Sequence, residues 1–422
     1  MSGAERASAF QRRDLQLIAL TFAFSAAAYA RIALSPLQET VRAALGLSDG
    51  QMALLQGPAL ALPTVALAIP FGFLIDRGSR VRLLLLLAVL DVVGSALTAF
   101  ASGFTLLAVG RGLVGLTTFA NNPVAISLIS DLYAPAQRGR ALTVLGLGNI
   151  GGNAAAFALG GVLLALAQSG QHDWRWAMLW LTSPLVLVVF VVSMMQEPSR
   201  TSVVIQRPSV HQAFRELWLY RSLVLALLAI VAMAEIALGA TMVWAAPALS
   251  RTFALSPDRV AGAMAVALLV SGVLGPVAGG VSADLCQRSG GPRRTMMVLT
   301  ILAFVGVPIG LFAVAPSFLL AIVLLTAFIT LATAMVTMQT ALFTIVVPNE
   351  LRGLCMGIVV ATCVLVGTGL APMTVSALST STGGPATIGK ALSIVCVTTG
   401  LLGALIAVST IRLFPTALKF AD

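Results

Sequence analysis

The chain has 422 residues, 59% of them hydrophobic and 9% charged, with a formal net charge of +10. A soluble domain carries about 25% charged residues and lacks the interior to hide so much apolar surface, so the composition excludes a soluble globular enzyme. In a soluble chain the positive balance would raise nucleic acid as a partner, but here the arginines stand in short segments between apolar runs, as in topogenic loops of membrane proteins, and no nucleic-acid partner is expected.

Residues 1–14 are polar and basic and carry no cleavage-site pattern, so the first apolar run is predicted to be a retained helix. A crossing helix needs about 20 mostly apolar residues. Twelve runs meet that length, at 15–38, 52–74, 82–101, 104–130, 140–166, 176–195, 222–247, 260–283, 295–315, 317–346, 353–378 and 389–413. The predicted fold is therefore an all-α membrane protein of twelve helices. The most polar stretch, 196–221, reads as a linker between a bundle over 1–195 and a bundle over 222–422. With the N-terminus placed inside, eighteen Lys and Arg residues fall in inner segments and five in outer ones. That bias predicts both termini on the cytoplasmic side.

The two halves repeat one another. Gly72-Phe-Leu-Ile-Asp76-Arg77-Gly-Ser-Arg80 follows the second run, and Gly280-Val-Ser-Ala-Asp284 follows the eighth. Asp131 and Pro135-Ala-Gln-Arg138 follow the fourth run, and Pro348-Asn-Glu350-Leu-Arg352 follows the tenth. Asp76 and Asp284 are 208 residues apart, and Arg138 and Arg352 are 214 apart. Two six-helix repeats around a central site are a recurrent transporter plan.

Charge at membrane depth costs about 2.5–3.5 kcal/mol on insertion scales, so intramembrane charges are the first functional candidates. Arg31 in the first run reads as an anion-binding guanidinium, with capping of backbone carbonyls as the alternative. Arg111 in the fourth run reads as a second one or as a helix-end tie, with Glu39 as a candidate partner. Asp91 in the third run is a candidate proton carrier or a hydrogen-bonded structural acid. Glu235, the one acid inside the seventh run, is the leading candidate for a coupling acid. The amides Gln56, Asn121, Asn122, Asn149, Asn153 and Gln339 line a cargo site or join helices; positions 149 and 153 share one helix face. Trp244 is read as closing the seventh run with Pro247, either anchored at the interface or stacked on cargo.

Cys286, Cys355, Cys363 and Cys396 show no metal-ligand or CxxC spacing and read as small buried hydrophobes. His172 and His211 lie in loops on opposite sides, so no catalytic constellation assembles. No Walker-type loop is present, and no cofactor or metal is expected. Gly275-Pro276 with Gly279 and Gly280 looks like part of the drug-antiporter motif but stands in the eighth run rather than the fifth, where Gly148, Gly151, Gly152, Gly160 and Gly161 occur without proline.

The loop Gly72-x-x-x-Asp76-Arg77-x-x-Arg80 between the second and third runs, echoed at Asp284, resembles the signature of the major facilitator superfamily, and the likeness covers the whole chain. A finer resemblance is to its spinster-like branch, through Leu45-Gly-Leu-Ser-Asp49-Gly-Gln51 with Leu55 and Gly57, through Trp244-Ala-Ala-Pro247 with Arg251, and through Val347-Pro348 to Arg352. The resemblance implies a monomeric secondary transporter working by alternating access in a bacterial inner membrane, with small, amphipathic cargo. It also implies that Gly72, Asp76, Arg77, Arg80, Asp131, Arg138, Asp284 and Arg352 latch the halves during gating. The chain departs from the branch where an Asp-Arg pair is expected, which reads Ala30-Arg31, and where a Glu is expected, which reads Thr118. With those carboxylates missing, anionic cargo is expected, with coupling through another acid such as Glu235. A drug-type proton antiporter and a non-transporting sensor remain the alternatives.

Overall fold

A computed structural model describes residues 3–199, 215–218, 221–348 and 351–412, with side chains from residue 13 onward except those of Ile69, Asp76, Pro135 and Ala136. Most of the expected linker 196–221 and His211 therefore lie outside the described residues. Among those residues there are twelve long helices and no strand. Helix α1 (Gly3–Ile32) bends through a 3-10 turn, Ser35–Leu37, into a short helix, Gln38–Ala44. Helix α2 starts as Asp49–Gln56, breaks at Gly57 ahead of Pro58, and resumes as Pro58–Arg77. Then come α3 (Arg80–Ala99), α4 (Phe104–Leu132), α5 (Pro135–Ser169), α6 (Trp174–Ser193) and α7 (Arg221–Phe253). A 53-residue helical stretch, Pro257–Ile309, is broken at Gly290 and Gly291, where Gly291 has φ 66°; its parts are α8 (257–289) and α9 (292–309). Helix α10 (Phe318–Val346) is followed by α11, which runs Arg352–Thr362, Cys363–Leu370 and Ala371–Ser381, and by α12 (Ile388–Ile411).

Most helices overrun the apolar runs by several residues. Hydropathy marks the stretch that lipid solvates, whereas a helix stops where its end groups find caps. Ser48 and Gln51 form a reciprocal capping box at the start of α2. Ser79 accepts from the Arg82 N–H at the start of α3, and Ser317 from the Leu320 N–H at the start of α10. Much of the surface is apolar, as at Leu187, Phe190, Val277 and Leu319. Hydrocarbon tolerates such side chains, while a helix keeps its backbone polar groups satisfied internally.

The chain divides into two compact units, Met1–Val204 with Ser256–Leu269, and Ile205–Leu255 with Val270–Asp422. The first thirteen residues of α8, 257–269, thus group with the first unit. Each unit repeats the same packing devices. In the first, a Cβ on Gly152 of α5 would stand 2.2 Å from the Ser25 carbonyl oxygen of α1. In the second, a Cβ on Gly239 of α7 would stand 1.9 Å from the Gly367 carbonyl oxygen of α11. Small residues let backbones approach this closely where no hydrophobic effect drives helices together. The helix ends match too. Arg138 Nε donates to the Tyr133 carbonyl at 3.1 Å and Arg352 Nε to the Val347 carbonyl at 3.3 Å, each closing the preceding helix.

Gly152→Ala is expected to cost about 1–3 kcal/mol of stability through overpacking, whereas Gly151→Ala, whose added Cβ meets no atom within 4 Å, is expected to be neutral. Thermal unfolding of the two purified variants in detergent checks the pair.

Candidate functional site

In the first unit a buried polar network forms where α1 ends. Pro36 has no N–H to offer the Ile32 carbonyl, so the regular ladder of α1 stops there. Two other carbonyls of this last turn, which a helix end leaves open, are met by Arg111 of α4, which is 1% exposed. Its guanidinium donates to the Arg31 carbonyl at 2.7 Å, the Ala30 carbonyl at 3.4 Å and Gln56 Oε1 at 2.8 Å. The Gln56 amide in turn donates to Ser35 Oγ at 3.3 Å and Gln38 Oε1 at 3.2 Å. A cation at a helix C-terminus is favourable, and hydrogen bonds to a charged donor contribute about 1.5–3 kcal/mol each, enough to offset the insertion cost. Arg111 thus caps carbonyls at the end of α1. These three acceptors of Arg111 are neutral oxygens. Glu39, the expected partner, pairs instead with Arg42 one turn along its own short helix, at 3.6 Å. That segment leaves the line of α1 at the 3-10 turn, which the uninterrupted apolar run does not reveal.

Arg31 is half-buried and donates to Asn153 Oδ1 of α5 at 3.4 Å, and Asn153 donates to Asn149 Oδ1 at 3.3 Å. The two amides of one α5 face therefore work in series beside the guanidinium. Thr118, where the resemblance leads one to expect a Glu, faces α1, its hydroxyl 3.4 Å from the Ala27 carbonyl and 2.8 Å from the Val114 carbonyl. Asn121 and Asn122 diverge: Asn121 is buried and donates to the Thr117 carbonyl at 3.0 Å, whereas Asn122 is exposed. Asp91, 2% exposed, is hydrogen-bonded to the Thr117 hydroxyl, and with Asn121 it borders a narrow crevice lined by Ala23, Ala26, Ala88, Leu185 and Val188.

The second unit places its polar groups differently. Trp244 does not end a helix. Helix α7 continues through Pro247 to Phe253, and the indole is fully enclosed with its N–H on the Pro372 carbonyl of α11 at 2.9 Å. Membrane helices accommodate proline when neighbours satisfy the freed backbone groups, so Pro247 is no stop signal. Gln339 is 2% exposed, and neither atom of its amide has a partner among the described residues. Glu235 is half-buried on α7 against α11.

At the α2–α3 turn Arg80 is buried and ion-paired on two sides. It pairs with Asp131 of α4, and its Nε reaches Glu197 Oε1 at 2.8 Å. The same guanidinium donates to the Ser127 and Pro198 carbonyls at 3.2 Å and 3.1 Å. Glu197 also accepts from Ser79 Oγ at 2.7 Å and the Val81 N–H at 2.8 Å. Partial burial opposes its charge, but these donors prevail and hold the carboxyl below its usual range. Glu197 is the member of this cluster that the sequence reading missed. It stands 117 residues from Arg80, and its only local signal was being an acid just past the sixth run. Arg77 is exposed, its guanidinium 5.8 Å from the Phe73 ring. Gly72 and Asp284 are exposed as well, and the Asp76 side chain lies outside the described residues.

Residues 20–372 match the Major Facilitator Superfamily. The chain is 30% identical over 200 residues to the mouse (Mus musculus) solute carrier family 2, facilitated glucose transporter member 8, covering 47% of this chain and 40% of that protein. It is 26% identical over 132 residues to the quinolone resistance protein NorB of Staphylococcus aureus, covering 31% and 27%. The matched stretches thus span less than half of either relative's own length. Its fold is similar to that of a bacterial homologue of the human lysosomal transporter Spinster in an inward-facing, unoccupied conformation, with a TM-score of 0.81 at 20% identity over 97% of this chain and 99% of that one.

Arg80→Ala is expected to destabilise the protein by about 3–5 kcal/mol, because it strands the buried Asp131 carboxylate. The Glu197 contribution has a defined pH sense. Its folded value lies below its unfolded one, so it stabilises above the ordinary Glu range of about 4.3 and is lost as pH falls through the folded value. Thermal melts against pH should show a shallower acid limb in Glu197→Gln than in the parent.

Proposed function

The chain belongs to the Major Facilitator Superfamily, a family of multi-pass membrane transporters, and from that premise we propose that it moves a small organic anion or anionic amphiphile by alternating access. The observation that carries this reading is Arg111. It is a fully enclosed guanidinium whose acceptors are two backbone carbonyls and one amide, with the guanidinium-bearing Arg31 next to it on α1. Two guanidinia in one polar network, with neutral oxygens around Arg111, favour a negative guest. The planar fork suits a carboxylate, phosphate or sulfate in two-point contact. The amides Gln56, Asn149 and Asn153 add neutral polarity to the same network. The arginine bias of the inner segments supports a cytoplasmic face for the α2–α3 turn and for both termini, in a bacterial inner membrane.

Coupling is assigned to Glu235. It is the one acid inside α7, half-buried and in contact with α11, and a partly desolvated carboxylate exchanges its proton within a useful range. Asp91 is less suited, since it faces α4 and the small crevice beside α6. The ion-paired cluster of Arg80, Asp131 and Glu197 fits a latch, with Arg77 and Arg138 as its outlying members. The partial likeness to a quinolone resistance protein supports one second reading, export of drug-like amphiphiles in exchange for protons.

Uptake into proteoliposomes of a panel of organic carboxylates and their neutral amides tests the reading. Arg31→Gln and Arg111→Lys are each expected to lower carboxylate flux at least about tenfold, the factor for about 1.4 kcal/mol of lost contact. Equal transport of carboxylate and amide would overturn anion selectivity, and stabilisation by a ligand that never crosses would point to a sensor. In Glu235→Gln, flux should become insensitive to an imposed pH gradient. A gradient response equal to the parent's would remove Glu235 from coupling.

A further inference from the structure

The internal repeat departs from itself at the turn between α8 and α9. In the first unit Arg80, at the start of α3, has Asp131 of α4 and Glu197 as counter-ions. Arg293 stands in the matching place at the start of α9. Helices α4 and α10 are each 29 residues long, and the residue one short of the end is Asp131 in the first and Ile345 in the second. The second unit thus keeps the guanidinium and lacks that acid. Among the described residues neither Arg288 nor Arg293 has an ion pair, and Arg293 Nε is enclosed without an acceptor. Asp284, one turn before Arg288, is exposed and not ion-paired with it, and Glu350 lies outside the described residues. The turn itself is closed by other groups. Arg294 donates to the Ser289 carbonyl at 3.3 Å, and Gln287 Nε2 to Thr295 Oγ1 at 3.0 Å. Arg288 and Arg293 are left over from that closure.

The helices next to these arginines point to the source of the missing anion. Val277, Val281, Leu285 and Arg288 recur at helical spacing on one face of α8, and the three apolar residues are exposed. Arg293 is followed at the same kind of spacing on α9 by Met297, Ile301 and Phe304, which are exposed as well. Each helix therefore carries an apolar face open to hydrocarbon that ends in a guanidinium at the turn. Gly291, with φ 66°, lets the chain reverse there, so both faces end at the same level. We propose that the α8–α9 turn binds an anionic phospholipid of the leaflet on its side, with Arg288 and Arg293 taking the phosphate and the two apolar faces taking the acyl chains. A guanidinium holds a phosphate in two-point contact, and basic residues beside a membrane surface attract anionic headgroups. A soluble anion would use the arginines and leave the apolar faces without a part. In the first unit Asp131 and Glu197 already meet Arg80; in the second, the lipid phosphate does what a carboxylate does there. The site is separate from the proposed cargo network and does not depend on it.

Native mass spectrometry of the full-length protein in a neutral detergent, titrated with phosphatidylglycerol, tests this without knowledge of the cargo. Phosphatidylglycerol should bind more tightly than phosphatidylcholine. Replacing both arginines, Arg288→Gln with Arg293→Gln, should weaken it roughly 25-fold, about fivefold for each arginine. Arg82→Gln, at an exposed arginine of the first unit's corresponding turn, should leave the affinity unchanged. Ile345→Asp supplies the acid that the repeat lacks, and it should weaken the lipid by competing for Arg293. This second variant keeps the test decisive if the double one fails to fold. Glycerol 3-phosphate at the same concentration should not displace the lipid. Parent-like affinity in the double variant and in Ile345→Asp would overturn the site. Equal weakening in Arg82→Gln would reduce it to general surface charge and overturn it too. Displacement by glycerol 3-phosphate would assign the arginines to a free anion and overturn the lipid.

Discussion

A guanidinium enclosed in an apolar bundle must have its N–H groups met by oxygen, because no water is at hand to do it. Arg111 meets that demand at its two terminal nitrogens by taking the carbonyls that α1 leaves open at its end, while its Nε has no partner among the described residues. Much of the first unit follows from this arrangement. The end of α1 leaves the carbonyls open, the 3-10 turn aims Ser35 and Gln38 back at Gln56, and Gln56 joins the short first segment of α2 to α4. Three helices are tied by one cation, and the positive charge is preserved rather than neutralised.

The two halves share their scaffolding and differ in their chemistry. Glycine crossings pair α1 with α5 and α7 with α11, and Arg138 and Arg352 close α4 and α10 in the same way. Upon that common frame the first unit holds guanidinia and amides, while the second holds a carboxylate beside a π-helical segment. A duplicated fold keeps what packing requires and frees the remaining positions to diverge. On the proposed reading, the first half holds the anionic guest and the second exchanges the driving proton.

The cluster around Arg80 has a further architectural effect. Glu197 and the Pro198 carbonyl belong to the segment that leaves α6, so their bonds to Arg80 and to the Val81 N–H fasten the start of the connection between halves onto the first unit.

Much was legible in the sequence. Lipid solvation imposes a length on each apolar run, so the twelve helices and their repeat could be read directly, as could the rarity of charge that singled out Arg31, Asp91, Arg111 and Glu235. Helix ends were less legible, because hydropathy does not register capping, and Pro247 read as a stop although α7 passes through it. Partners were the least legible. Nothing in the spacing tells that Arg111 faces the carbonyls of Ala30 and Arg31 rather than Glu39, that Glu197 answers Arg80, or that Glu235 packs against Gly367. Composition and periodicity settle which side chains are too costly to be idle in a membrane. Which oxygen or thiol meets each of them depends on how helices cross, and crossings are set by contacts between residues far apart in the chain.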